Sequence, residues 1–311
     1  MKKRFFRTFF ISVILFTALW TGFIYKTVII AEGENGVDYE EDSFFNRLIK
    51  DKDDITFLLM GVDSYDVKKS SGTRTDTMIV CKVNKSTGKI SMLSIPRDTK
   101  AIIRGRKNEE KINHAHAYGG PDLAVKAVKD LLGIDLEYYV KVDYKIVKEF
   151  VDIIGGVEID VPMDMKYSDP VADPPLYIDL KAGLQVLDGD KALQFLRFRK
   201  GYSDQDLGRI RAQQQFIKAT IKQTLKVENI GKIPQLIKTY YNNVETNIPL
   251  DLILKFAVNV NNYNVEDIQM ATLPGEPKYI GGVSYYMPNE EEMKTLIDSM
   301  FNDNNEEYNN N

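Results

Sequence analysis

The sequence predicts an α/β fold: a mixed central sheet flanked by helices on both faces, an α/β/α sandwich, preceded by one N-terminal transmembrane helix. Three observations carry this expectation. Between residue 55 and about residue 227, strand-like and helix-like segments interleave, joined by both a hairpin and longer crossovers. One uncharged apolar run stands near the N-terminus, directly behind four basic residues. The 311 residues are 43% hydrophobic and 28% charged, the balance of a globular protein with a sizeable core.

The chain opens Met1-Lys2-Lys3-Arg4-Phe5-Phe6-Arg7, a cytoplasmic tail (1–7) ahead of a membrane anchor at 8–30. Within the anchor, residues 8–25 carry no charge and as a helix would cross most of the hydrocarbon core of a bilayer. Four bases before the run, against Lys26 alone just after it, keep the N-terminus inside and send the remainder across, so the predicted location is single-pass in the cell membrane with the bulk extracellular. A cleavable signal peptide is the alternative; the run is long and bulky for one, and Ala31 is a poor cleavage position. Taking Lys2, Lys3, Arg4, Arg7 and Lys26 from the net charge of −4 leaves the outer part at −9. Such an acidic balance argues against a nucleic-acid partner, whose phosphates select for a basic excess. One cysteine cannot form an internal disulfide, and one cysteine with two histidines cannot complete a Cys/His zinc site, so any metal must sit on oxygen ligands.

Residues 31–54 read as an acidic linker (Glu32, Glu34, Asp38, Glu40, Glu41, Asp42, Asp51, Asp53, Asp54). The globular part, 55–301, starts with a short apolar strand at 55–60 ending at Gly61. Strands at 77–83, which holds Cys81 as a small core residue, and at 90–95 form a hairpin around the turn formers Asn84, Ser86 and Gly88. Apolar residues at 123, 124, 127, 128, 131 and 132 have helical spacing, and Gly133 stops that helix. A strand at 138–142 precedes Asp143, which caps a helix bearing Ile146, Val147, Phe150, Val151 and Ile154; Gly155-Gly156 ends it before a strand at 157–161. Residues 163–175, rich in proline and aspartate, read as a loop, followed by helices at 188–196 and about 203–227. The chain to about 300 is again mixed, and 302–311, dominated by Asn and Glu, reads as a disordered tail.

Charge recurs at strand ends, where open sheets place their ligand sites. The clusters are Gly61-Val62-Asp63-Ser64, Arg74-Thr75-Asp76-Thr77-Met78, Ser94-Ile95-Pro96-Arg97-Asp98, and Arg197-Phe198-Arg199 with Arg209-Ile210-Arg211-Ala212-Gln213. Asp63 and Asp76, at separate strand ends, suit a hard divalent cation such as magnesium. Arginine is the matching partner for phosphate, because its planar fork gives bidentate hydrogen bonds. If 197–199 is strand-like, Arg197 and Arg199 share a face and can grip one phosphate; the same stretch also reads as an edge strand with Phe198 inward. On the following helix Arg209 and Gln213, at i and i+4, share a face that excludes Arg211. The plain alternative is that these acids and arginines pair with each other or with water on exposed surfaces.

Together with Lys111-Ile112-Asn113, Tyr118-Gly119-Gly120, Gly155-Gly156-Val157 and Leu187-Asp188-Gly189, these ordered motifs resemble the LytR-CpsA-Psr family of bacterial cell-envelope proteins over the anchor and about 55–225. The resemblance implies a phosphotransferase that moves a glycopolymer, of wall teichoic acid or capsule type, from a polyprenyl-pyrophosphate lipid carrier onto peptidoglycan as a phosphodiester. It implies magnesium or manganese on Asp63 and Asp76, with Arg74, Arg97, Arg197, Arg199, Arg209 and Gln213 around the pyrophosphate. Asp98 would orient Arg97, and either Asp76 or Asp98 would serve as the base. A greasy cavity would hold the prenyl chain, lined by the apolar faces at 123–132 and 146–154 or else these faces are ordinary core. His114 and His116 read as structural or substrate-edge residues. Simple hydrolysis of the lipid pyrophosphate, or a noncatalytic lipid-binding or regulatory role, are the rival readings.

Overall fold

The computed structural model describes residues 53–62, 70, 72–171, 175–204 and 206–302. The anchor at 8–30, the linker up to residue 52, Asp63 and the tail beyond Asn302 lie outside these residues. No helix among the described residues is long and apolar enough to cross a membrane.

Strands β1 (Asp54–Val62), β2 (Thr75–Asn84) and β3 (Ile90–Ser94) form an antiparallel meander, with Phe57 opposite Cys81 and Ile79 opposite Ser94. Two short strands, β4 (Lys100–Ala101) and β5 (Glu110–Lys111), pair beyond it. Helix α1 (His114–Leu132) begins earlier than the apolar spacing alone indicates; it breaks at Gly119 and Gly120, and Pro121 opens its second segment. Strand β6 (Tyr138–Val142) then returns parallel to β1, and Asp143 caps α2 (Tyr144–Ile153) by accepting from the Ile146 N–H at 2.9 Å.

Strands β7 (Val157–Val161), β8 (Met165–Asp169), β9 (Leu176–Leu180) and β10 (Gly183–Leu187) pair as β7 with β10 and β8 with β9. This corrects the loop expected at 163–175. Met165 is buried while its neighbour Lys166 is exposed, a short half-buried alternation hidden by the proline and aspartate of the turn that follows. Helices α3 (Gly189–Arg197), α4 (Asp206–Thr224), α5 (Val227–Ile230) and α6 (Ile233–Asn243) come next. They are followed by β11 (Glu245–Thr246), α7 (Leu250–Val258), β12 (Ile268–Thr272), the hairpin β13 (Gly275–Ile280) and β14 (Val283–Pro288), and α8 (Glu290–Phe301).

Six strands make the central sheet in the order β11-β6-β1-β2-β3-β12, with β1–β6 and β3–β12 parallel and the other neighbours antiparallel. Alternation along β1 and β2 assigns the two faces. Leu58, Met60, Met78 and Val80 pack with Ala124 and Val128 of α1 and with Ile297 and Met300 of α8. Their neighbours Phe57, Leu59, Ile79 and Cys81 face Ile217 and Ile221 of α4, while Val140 meets Ile146 of α2 and Leu252 and Phe256 of α7. Helices therefore cover both faces of a mixed sheet. A further apolar cluster, centred on Ile159, Met165, Phe195 and Phe216, fastens the β7–β10 strands to α2, α3 and α4.

Candidate active site

Strands β1, β3, β6 and β12 all run toward one end of the sheet, and β2 starts there, so the chemistry-bearing residues around Gly61, Asp76 and Arg97 share the carboxyl end of the parallel strands. A register shift between Gly61 and Val62 turns β1 at this point. Gly61 packs closely on Thr77: a Cβ there would stand 3.1 Å from the Cβ of Thr77, so a larger residue would require that side chain to give way by a few tenths of an ångström.

Asp76 is the centre. Arg97 Nη1 donates to Asp76 Oδ1 at 2.6 Å, and Arg199 Nη2 to Oδ2 at 2.5 Å. Arg209 Nη2 donates to the Asp76 carbonyl at 2.8 Å, with its Nη1 3.9 Å from Oδ1. A second carboxylate, Asp206, stands 3.0 Å from Arg209 Nη2 and 3.5 Å from Arg97 Nε. Gln213 donates to Thr77 Oγ1 at 2.9 Å. Sequence separations of 21 to 136 residues are thus gathered in one place.

Three guanidinium groups here face two carboxylates, and their surroundings differ. Burial opposes the charge on Arg97, but Asp206 and Asp76 outweigh it and hold the group above its ordinary range. Arg209 is 3% exposed, and there burial wins over Asp206 and lowers the pKa. Among the described residues, the buried Arg97 Nε, Arg209 Nε and Asp206 Oδ2 have no hydrogen-bond partner. Buried donors without acceptors cost free energy unless an incoming group supplies them, which is the signature of an anion site.

The cluster opens onto a cavity of about 150 Å³. Asp76, Arg199, Arg209 and Gln213 line its polar side; Leu59, Val62, Val147, Leu196, Phe216 and Ile217 make the rest apolar. Of the two helical faces expected to line an apolar space, α2 contributes Val147 to this cavity, whereas Ala124, Val125 and Val128 of α1 belong to the core on the opposite face of the sheet.

The other expected site residues fall around this cluster. Arg197 is the last residue of α3, and Phe198 is its buried cap, so 197–199 is a helix end and not a strand. The helical hydrogen bond from the Phe198 N–H to the Gln194 carbonyl overrides the alternating pattern. Arg197 lies 4.7 Å over the ring of Tyr144, while Arg199 reaches Asp76, and both Tyr144 and Arg199 line the cavity. Asp98 pairs with Lys111 at 3.0 Å, and Arg97 feels its charge without a direct bond. Arg74 is exposed and lies within electrostatic reach of Tyr118. Arg211 makes a two-pronged pair with Asp204, away from Asp76, as its face of the helix requires.

Asp206 was not among the residues expected from the sequence. Its signal was present, because an acid three residues before Arg209 on one helix shares its face. A second group of charged and polar side chains is also present: Glu110 accepts from Arg106 Nε at 2.9 Å and from Tyr118 Oη at 2.6 Å, and stands 3.1 Å from His114 Nδ1. His116 is buried instead, with Nδ1 on the Thr73 carbonyl at 2.7 Å, and burial lowers its pKa.

Comparison with known proteins identifies the family and the fold. The family model described as "LytR_cpsA_psr family" matches residues 24–302. The polyisoprenyl-teichoic acid–peptidoglycan teichoic acid transferase TagU of Oceanobacillus iheyensis is 33% identical over 269 residues, covering 83% of this chain and 79% of its own. TagV of Bacillus subtilis, of the same description, is 30% identical over 289 residues, covering 91% of this chain and 73% of its own. The crystal structure of B. subtilis TagV superposes with a TM-score of 0.69 at 30% identity, over 81% of this chain and 98% of that one. A structure described as TagT bound to LIIa-WTA does so with a TM-score of 0.64 at 27% identity, over 81% of this chain and 91% of that one. Fold, ordered motifs and family model agree, and the chain belongs to the LytR_cpsA_psr family.

Proposed function

We propose that this protein transfers a glycopolymer of teichoic acid type from a polyprenyl-pyrophosphate carrier onto peptidoglycan, forming a phosphodiester. The observation that carries this reading is an excess of guanidinium donors at the mouth of a cavity whose remainder is apolar, a shape matched to a diphosphate with a hydrocarbon tail. The basic, then apolar, N-terminus supports membrane anchorage with this site on the outer side.

In this reading a sugar hydroxyl of peptidoglycan attacks the phosphorus nearer the glycopolymer. The bond from that phosphorus to the bridging oxygen breaks, polyprenyl phosphate leaves with the electron pair, and the hydroxyl proton passes to a carboxylate. Arg97, Arg199 and Arg209 balance the spread negative charge of the transition state. Arg199, Arg209 and Gln213 line the cavity and Arg97 joins them at Asp76, so the diphosphate would be held by this cluster. Asp98, engaged by one lysine while Asp76 holds two guanidinium groups, is the less committed acceptor for the proton.

Magnesium or manganese fits the donor set: carboxylate oxygens alone, with Asp206 Oδ2 buried and without a hydrogen-bond partner among the described residues. Asp76, with Asp63 of the adjoining segment in sequence, would hold the ion, which would supply further neutralisation of the diphosphate; Asp206 shares Arg97 and Arg209 with Asp76.

The test mixes the full chain with a polyprenyl-pyrophosphate-linked sugar, magnesium and peptidoglycan fragments. A new sugar phosphodiester and released polyprenyl phosphate, both lost in Arg97→Ala, are expected. Release of lipid phosphate without a joined product would replace transfer by hydrolysis, and tight binding without turnover would replace it by a passive role.

A further inference from the structure

The β13–β14 hairpin leaves the body of the protein at the site end of the sheet. Its root is fixed: the Tyr286 N–H donates to the Asp98 carbonyl at 2.9 Å, Tyr286 Oη donates to the Leu273 carbonyl at 2.7 Å, and Thr99 bridges to Tyr286. The root is thus the residue pair next to Arg97. Every residue of β13 is exposed. Its tip is Tyr279-Ile280-Gly281-Gly282-Val283, where both glycines take positive φ, 58° and 79°, as a tight two-residue hairpin turn requires.

The tip is apolar on both of its faces. Ile280 pairs directly with Val283 and shares one face with it; Tyr279 pairs with Ser284 and points to the other. Tyr279 is 75% exposed, Ile280 39% and Val283 43%. The turn itself carries no polar side chain, and the exposed Lys278 follows one step back on the face of Ile280. A protein partner would cover one face of such a ribbon. A medium that surrounds the tip covers both, and an aromatic ring, two aliphatic side chains and a flanking lysine are the residues that settle in the interfacial zone of a bilayer.

We infer that the β13–β14 tip dips into the headgroup zone of the membrane, a contact separate from the N-terminal segment, and sets the site end of the sheet against the lipid surface. The inference rests on the proposed function in one respect: a donor carried by a polyprenyl lipid must be taken from that surface, and the hairpin root adjoins Arg97.

The experiment uses the full chain reconstituted into vesicles of phosphatidylethanolamine and phosphatidylglycerol. Cys81 is buried, and burial pushes its thiol pKa up, so a thiol-reactive environment-sensitive fluorophore goes to an introduced cysteine. Ile280→Cys reports the tip, and Thr87→Cys reports the β2–β3 turn at the opposite end of the sheet. Blue-shifted emission at 280, quenched by spin-labelled lipid, with water-like emission at 87, is expected. Water-like emission at 280, equal quenching at both positions, or a shift at 280 that needs added peptidoglycan overturns the inference. None of these readouts depends on turnover. The variant Y279S/I280S/V283S should then lose transfer from a vesicle-borne donor by about tenfold, the scale of one apolar side chain returned to water, yet keep transfer from a short-chain donor in detergent. Loss with both donors overturns a role for the tip in lipid access, and absence of transfer in the unaltered protein refutes the proposed function without touching the fluorescence result.

Discussion

Asp76 and Glu110 each gather three donors, but they reach opposite states. Glu110 is as exposed as Asp76, 20% against 21%, and holds one guanidinium, one phenol and one imidazole; the Tyr118 hydroxyl, His114 and Arg106 together draw its pKa from 4.5 down to about 2. Its hydrogen-bonding is closed upon itself. Asp76 faces three guanidinium groups, with Asp206 sharing two of them, and the buried Nε atoms of Arg97 and Arg209 make no hydrogen bond among the described residues, Arg97 Nε having only the longer ion pair to Asp206. The difference teaches that the number of contacts around a carboxylate does not mark a site. The mark is an unbalanced account of donors in a buried place, which an anionic ligand would close.

The contrast breaks most directly at Asp76. Asp76→Ala should lower transfer by about 10³-fold and destabilise the fold by roughly 3 kcal/mol, because it removes the acid that separates three cations, one of them deeply buried. The joining assay and thermal denaturation read the two effects separately. Full stability in this variant would mean that Asp206 alone compensates Arg209, and the description of a single shared centre would fail.

Arg97→Ala sharpens the comparison from the cationic side. Its side chain is only a quarter exposed and pairs with Asp76 and Asp206, so stability should fall as well, while transfer should fall by about 10²-fold through kcat. Arg97→Lys should restore little, since one ammonium cannot reproduce a fork that meets Asp76 and a phosphate together. Recovery by lysine would reduce Arg97 to a diffuse positive charge.

Much of this centre was legible in the sequence, and the reasons differ by residue. Strand periodicity located β1, β2, β3 and β6, because apolar runs bounded by turn formers have few other readings. Arg209 and Gln213 followed from helical spacing alone. Arg197 and Arg199 were placed on one face by a strand period that tertiary structure overrode: Phe198 closes α3 and buries its ring, and Arg197 meets Tyr144 while Arg199 meets Asp76. The strand β8 was hidden by its turn residues, since local composition outvotes a five-residue alternation. Asp206 escaped for another reason. An acid in the first turn of a helix is ordinarily explained by the helix dipole, and nothing in the linear sequence tells that role from a place in an ion cluster. The Glu110 group was equally invisible, since its carboxylate and phenol lie eight residues apart and meet because Glu110 opens a two-residue strand just before α1 begins.

Arg74 is exposed, two residues before Asp76 in the sequence and within electrostatic reach of Tyr118 of the Glu110 group. If its guanidinium serves the incoming diphosphate, Arg74→Ala should raise KM for the lipid-linked donor by about tenfold and leave kcat nearly unchanged, as expected for uniform binding of ground and transition states. A fall in kcat with unchanged KM would move Arg74 into the Asp76 centre, and no change in either would assign it to the Glu110 side.

The smallest effect tests the closed side of the comparison. Glu110→Gln removes a charge that no substrate group is expected to meet, so transfer should stay within about twofold of the unaltered protein, as for surface changes away from a site. Stability should respond instead, with a definite pH sign. The folded-state pKa of about 2 lies below the ordinary 4.5, so the carboxylate contributes stability at pH above 4.5 and loses it as pH falls toward 2. Solvent at this surface position screens the interaction, which makes the contribution about 1 kcal/mol or less and not the full worth of the shift. Thermal denaturation of both proteins between pH 7 and pH 2 should show a constant gap above pH 4.5 that closes as pH nears 2. A gap that persists unchanged to the acid end would assign the stabilisation to hydrogen-bond geometry that glutamine cannot copy, and charge would then distinguish Asp76 from Glu110 less sharply than the donor account at Asp76 does.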